Sequence, residues 1–488
     1  MTLASPWHGG TGTSSSRERL RIAARSTRAL GLTCILFTAC ATTGELEPAP
    51  DAIRRIGQTA VQDGGIVGLS IAVALDGRTV FAEGFGHADL ERTMPATAGT
   101  VYDAASVGKQ FTAVAVMKLV DQGRLSLDSR VRDLVPEAPP HFPNATLDQL
   151  LHHTSGFASG ELDELNPPAG LDRPRRGVEV LDEAGLREGR VAFPPGETFL
   201  YSNSGYLLLG LVVEAASGRP YPDFVAEELF APAGMTASTV GRRPNSSHLA
   251  DALHRGEAGV SRLPFIHMSI FGGAGSVCAS VTDLLAWELA LDEGRVLSAA
   301  TTARLRSPAR VEGTSEAAEI PYGMAQRMGS FQGQRKVGHT GTFEGGSAVL
   351  AHYPGARLTI AVLTNTRGLG TPHARAIEAE IARSLLAPVQ PEAPLAAVPF
   401  TAEQRRQLQG HYDGNTLLEA RVEGEHTLLA LREGDEVARL VHTGGLQFRD
   451  PEQPGARDSF LLDGETAGWW LYEVDGFLMG VSRRVPGP

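Results

Sequence analysis

The chain has 488 residues, 42% of them hydrophobic and 20% charged, which is ample material for a large buried core. Its 56 acidic residues against 44 basic ones give a net charge of −12, a balance that argues against nucleic-acid binding, which needs a basic footprint. Three cysteines exclude a disulfide scaffold, and no apolar run reaches the ~20 residues of a membrane-spanning helix.

Residues 1–40 read as an export signal. Arg17, Arg19, Arg21, Arg25 and Arg28 stand against Glu18 alone, an apolar stretch covers 29–37, and small residues follow. Phe37-Thr38-Ala39-Cys40 resembles a bacterial lipobox, with Cys40 as the lipidated residue and Phe37 where an aliphatic residue is usual. The expected location is a bacterial cell envelope, either periplasmic or anchored to the membrane through Cys40 alone. Residues 41–50 read as a tether. Cys278 is the cysteine left inside the fold, and is expected to be a small buried apolar residue.

A helix is predicted from near Asp51, carrying Ile53, Ile56 and Val61. Residues 68–86 read as two strands joined at Asp76-Gly77, a dipeptide of tight hairpins. The stretch 102–291 is mostly helical and loop-rich. Strand patterns return at 336–341, 348–352 and 358–364, with turns short enough to make neighbours antiparallel. Strands at both ends with helices between predict an α+β fold over 51–386: one antiparallel sheet flanked by helices, with a helical subdomain. Residues 387–399 form a proline-alanine linker. Beyond it, strand-like runs at 428–431, 438–441, 460–462, 469–474 and 477–481 predict a separate small all-β barrel or meander over 400–488. Trp469-Trp470 suits the core of that barrel better than a sugar-stacking platform.

Three stretches carry chemistry. Ser106 and Lys109 stand three residues apart where a long apolar segment opens, so the amine lies one helical turn from the hydroxyl. A serine needs a base to become a nucleophile, and a desolvated lysine can serve. The chain has three lysines, Lys109, Lys118 and Lys336, and otherwise uses arginine, which cannot lose its proton. Tyr201-Ser202-Asn203 precedes a second apolar helix. It offers a phenol for proton transfer and an amide to grip a substrate carbonyl or the lysine. His339-Thr340-Gly341 lies in a returning strand, where a glycine marks close approach of another backbone or a ligand. The amides of Ser106 and Thr342 would pair as an oxyanion hole. His152-His153 has no second ligand cluster and reads as a helix end before a turn at Gly156. No metal or cofactor motif is found.

In this order and spacing, Ser106-x-x-Lys109, Tyr201-x-Asn203 and His339-Thr340-Gly341 resemble the serine β-lactamase and penicillin-binding-protein-like family, nearest its class C and esterase-like branch. The likeness runs from about residue 65 to 386. It implies Ser106 as the acylated nucleophile, Lys109 and Tyr201 sharing proton transfer, and Asn203 orienting substrate. His339 and Gly341 would flank the cleft, and Thr342 would complete the hole. Lysine often occupies the position of His339. A histidine there, charged part of the time near neutral pH, tilts the expectation from β-lactamase toward esterase, amidase or D-amino-acid peptidase. The substrate would be a small molecule or a peptidoglycan-type peptide. The alternative is a non-catalytic penicillin-binding sensor or cell-wall tether using the same pocket.

Overall fold

A computed structural model describes residues 49–486, apart from 139–141, 143, 158–173, 175–178, 180–190, 243, 245–247, 265, 313–316, 387–395, 414–417, 452 and 454. The export signal with Cys40, nearly all of the tether, and most of the linker lie outside the described residues. The first helix, α1, spans Pro50–Gln62. Strands β1 (Gly68–Leu75) and β2 (Arg78–Gly86) follow as the expected hairpin. Asp76 and Gly77 both have positive φ, 51° and 73°, which the two-residue turn matching a twisted hairpin requires.

The main sheet has seven strands. Besides β1 and β2 it contains β3 (Tyr322–Gly323), β4 (Gln326–Phe331), β5 (Gln334–Phe343), β6 (Gly346–Tyr353) and β7 (Leu358–Thr364). Their order is β3-β4-β5-β6-β7-β1-β2, every neighbouring pair antiparallel. The strands at the centre are buried on both faces. Leu69, Ile71 and Val73 meet α1 and the helix Ala374–Leu385 on one side, while Ala72, Leu350 and Leu363 face the helical layer on the other.

Three helices of that layer matter most: α2 (Lys109–Asp121), α3 (Asn203–Ser217) and α4 (Val281–Asp292). Residues Lys109 to Met117 of α2 are all buried, so it is a central helix. Phe111 packs against Trp287 of α4 at a centroid distance of 4.5 Å.

The C-terminal residues close into an eight-stranded barrel whose neighbours follow chain order. Its last two strands, β8 (Thr466–Val474) and β9 (Phe477–Val485), join at Asp475-Gly476. The barrel has its own core, in which Trp470 packs on Phe460 and Tyr412 and donates its indole N–H to Asp458. It is not separate from the rest, however. Trp469, Leu471, Leu478 and Val481 share a buried cluster with Phe199, Val311 and Tyr322, and Phe477 enters the core beneath the main sheet. The described residues fall in one compact unit, and apolar residues on the barrel's outer face are part of its core.

Lys336 ties the two parts together. It is fully buried, 2.5 Å from Glu378 and 2.7 Å from the Asp475 carbonyl, with the Phe477 ring 4.0 Å from its Nζ. Burial pushes Lys336 below its ordinary range despite Glu378, and pushes Glu378 above its own. Losing one partner strands the other charge in the interior. Lys336→Met is expected to cost about 3–5 kcal/mol in urea denaturation. Adding Glu378→Gln, which still accepts from Tyr353, is expected to recover more than half of that loss. A double variant no more stable than the single one would show that packing, not the pairing of charge, is what Lys336 supplies.

Candidate active site

Ser106 lies in the short 3₁₀ turn Ala105–Gly108 that feeds directly into α2. The preceding Ala105 has φ +47°, a conformation disfavoured for any residue with a side chain. Asp103 accepts the Ala105 N–H at 2.7 Å and holds this turn. Two close approaches fix it further. A Cβ at Gly341 of β5 would sit 2.4 Å from the Ala104 carbonyl and 3.2 Å from the Ser106 nitrogen. A Cβ at Gly273 would sit 2.2 Å from the Tyr206 carbonyl, so the glycine run packs flat on α3 and brings the Ala274 carbonyl to Lys109.

Lys109 is buried. Its Nζ lies 3.1 Å from Ser106 Oγ, 2.7 Å from Asn203 Oδ1 and 2.6 Å from the Ala274 carbonyl. The ring of Tyr201 is 5.0 Å from the same nitrogen. The structure thus gathers Ser106, Lys109, Tyr201 and Asn203 at one point, from stretches about a hundred residues apart. Ser202 caps α3 by accepting the Gly205 N–H, which leaves Asn203 to turn its amide oxygen to the lysine.

Ser106, Asn203 and Thr342 line a cavity of about 540 Å³. Leu249, Ile266, Met268 and Phe271 supply apolar walls, and Asp251, Arg262, Glu344 and Arg367 supply charge. Cys278 also borders it. It packs with Val101 and Met268, and burial pushes its thiol well up.

His339 is placed differently from the sequence expectation. Its side chain does not line the cavity; it is fully buried under the strand, with Nδ1 2.7 Å from the Thr340 carbonyl and Nε2 3.1 Å from the Tyr322 hydroxyl. Burial, with the positive charges of Arg327 and Lys109 nearby, holds it well below the usual imidazole range. It is therefore neutral near pH 7 and is not the part-time cation expected for a substrate carboxylate. Gly341 acts through the backbone space it leaves for the Ser106 turn.

Sequence reading missed His153 and Tyr322. His153 accepts the Ser202 N–H on Nδ1 at 3.0 Å, so its proton is on Nε2, 3.2 Å from the Tyr322 hydroxyl. His339 donates Nδ1–H to a carbonyl, so its Nε2 accepts from Tyr322. The donors are thus all assigned: Ser202 N–H to His153, His153 to Tyr322, Tyr322 to His339, His339 to Thr340. This buried chain joins the Tyr201 loop to β5. His153 also receives the Leu200 N–H on its carbonyl, packs its ring 4.3 Å from that of Tyr201 at a tilt of 41°, and has φ +57°. Burial, then Lys109, holds His153 well below the usual range. The signal available in sequence was the His-His pair before Thr154-Ser155-Gly156.

Comparison with known proteins agrees with this geometry. A family model described as Beta-lactamase matches residues 53–383, and the chain belongs to that family. It is 27% identical over 317 residues to penicillin-binding protein 4* of Bacillus subtilis (strain 168), covering 61% of this chain and 67% of that one. It is 29% identical over 340 residues to a D-aminopeptidase of Cereibacter sphaeroides (strain ATCC 17029 / ATH 2.4.9), covering 69% of this chain and 62% of that protein's length. The octameric penicillin-binding protein homologue from Pyrococcus abyssi superposes with a TM-score of 0.62 at 23% identity. That match covers 89% of this chain and 99% of that one, and so extends the shared fold to the barrel.

Gly341→Ala is expected to displace the Ser106 turn and lower kcat at least ~100-fold while far-UV circular dichroism stays native. Unchanged kcat would mean that the turn tolerates the contact. The two histidines also set an acid limit. Each stays neutral when folded, but takes a proton below about 6.5 when unfolded. Their contribution to stability is therefore present above pH 6.5 and is lost as pH falls below it, at up to ~1.4 kcal/mol per pH unit for each. In urea titrations between pH 6.5 and 5, His339→Asn is expected to flatten the slope by that share; an unchanged slope would place the proton elsewhere.

Proposed function

We propose that the protein hydrolyses esters, amides or D-amino-acid peptides through an acyl-enzyme on Ser106. The observation that carries this reading is the Lys109 amine held between Ser106 Oγ and Asn203 Oδ1 with Tyr201 beside it. In the proposed cycle Ser106 Oγ attacks the substrate carbonyl as its proton passes to Lys109 and Tyr201. The Ser106 and Thr342 amides hold the oxyanion, and the carbonyl–leaving-group bond breaks as the leaving group takes the proton. Water then attacks the ester on Ser106, gives its proton back through the same pair, and frees the acid.

The relatives named D-aminopeptidase support a small peptide or amide as substrate, and a peptidoglycan-type peptide is the further part of this proposal. Apolar walls at Ile266, Met268 and Phe271 suit an apolar side chain next to the reacting carbonyl. Export, with Cys40 as the lipidated residue, belongs to the same proposal and rests on the sequence of residues 1–40.

The test is a panel of p-nitrophenyl esters, D-amino-acid amides and penicillins. Steady turnover of an ester or D-amino-acid amide is expected, abolished in Ser106→Ala and lowered at least ~100-fold in Lys109→Ala and Tyr201→Phe. Stoichiometric acylation of Ser106 by penicillin with no turnover of any substrate would overturn the hydrolase reading in favour of a sensor.

A further inference from the structure

Arg327 of β4 is a buried guanidinium, 7% exposed, that forms no ion pair with any carboxylate among the described residues. An unpaired interior charge is costly, so its surroundings must hold it. Its Cζ lies 5.2 Å from the ring centre of Tyr201 and 6.0 Å from that of Tyr322. One N–H of the guanidinium donates to the carbonyl of Leu478, on the last strand of the barrel. The C-terminal barrel thus holds a cation over the ring of Tyr201, whose centre also lies 5.0 Å from Lys109 Nζ.

Among the other groups around Tyr201, Lys109 is the second cation, its Nζ 5.0 Å from the ring centre. Lys109 comes from α2, His153 from the turn after residues 147–151, Tyr206 from α3, Tyr322 from β3 and His339 from β5. Both histidines are neutral, the two other phenols are pushed up by burial, and a lysine that takes and gives protons cannot be a constant charge. Arginine keeps its proton throughout.

We propose that Arg327 is a positioning residue for the reaction, a fixed positive charge that stabilises Tyr201 in its anionic form, and that the barrel's last strand is thereby part of the active site. This rests on the reading that Tyr201 transfers protons. Tyr201 in its anionic form takes the proton that Ser106 loses on attack and then passes it to the leaving group, so the transfer creates no net charge. Before the first event and after the second, negative charge spreads from Oη into the ring, and Arg327 sits over that ring. A cation at this distance in a dry site strengthens the step without touching substrate.

The test is a double-mutant cycle in the full-length chain with a p-nitrophenyl ester. Arg327→Met keeps the volume and removes the charge; it is expected to lower kcat roughly 10- to 100-fold with KM within about threefold. Arg327→Lys is expected to restore kcat to within about fivefold of the parent. In a Tyr201→Phe background, Arg327→Met is expected to change kcat less than about twofold, because the group it acts through is gone. If Arg327→Met does not fold, Arg327→Gln serves as the charge-removing variant. Unchanged kcat on removing the charge, or the same loss with and without Tyr201, would overturn the proposal. A Tyr201→Phe enzyme as fast as the parent would instead overturn the proton-transfer reading beneath it.

Discussion

Three oxygens surround Lys109 Nζ and fix the amine against the nucleophile. Ser106 is a hydroxyl that can give its proton, whereas Asn203 Oδ1 and the Ala274 carbonyl can only accept. Held by Asn203 and Ala274, the amine sits within hydrogen-bond reach of the Ser106 hydroxyl. Much of the surrounding architecture serves this arrangement. The central helix begins at Lys109 itself, Ser202 caps α3 so that Asn203 is free to turn inward, and the glycine run at 272–275 brings a carbonyl within reach.

Around that amine the protein controls charge by burial. His153 and His339 are kept neutral and are linked through Tyr322 into a directional chain of hydrogen bonds. A neutral chain costs less to bury than an ionic one, and every member has a partner, which is the condition for a buried polar network to rigidify rather than destabilise. It holds the loop bearing Tyr201 at a set distance from the strand bearing Gly341. The nucleophile turn is thus pressed from one side by β5 and steadied from the other by the loop.

The barrel belongs to this economy. Its outer face supplies Trp469, Leu471 and Leu478 to a cluster containing Phe199 and Tyr322, both neighbours of the site. Lys336 reaches the barrel turn at Asp475, and Arg327 reaches Leu478. These contacts leave little freedom for the barrel to move independently of the catalytic sheet, in contrast to the tethered domain that a proline-rich linker suggests.

The sequence by itself determined the hairpin, the three returning strands, the central helix and the barrel's existence, because each is written in local periodicity and turn chemistry. It also determined Ser106 and Lys109, since a spacing of three on a helix is a local rule, and it singled out Tyr201 and Asn203. Strands β3 and β4 were not legible: Gln326 and Arg327 are polar residues buried by distant partners, so no apolar alternation marks them. For the same reason His153 read as a plain helix end and His339 as a residue facing the cleft. Which way a side chain points, and whether it keeps its charge, depends on what is packed over it from elsewhere in the chain. His339 answers to Tyr322 and Arg327, His153 to Ser202, and Arg327 to Leu478, 151 residues away. Local patterns carry no information about such pairings; only tertiary packing, by excluding water and bringing these groups together, decided them.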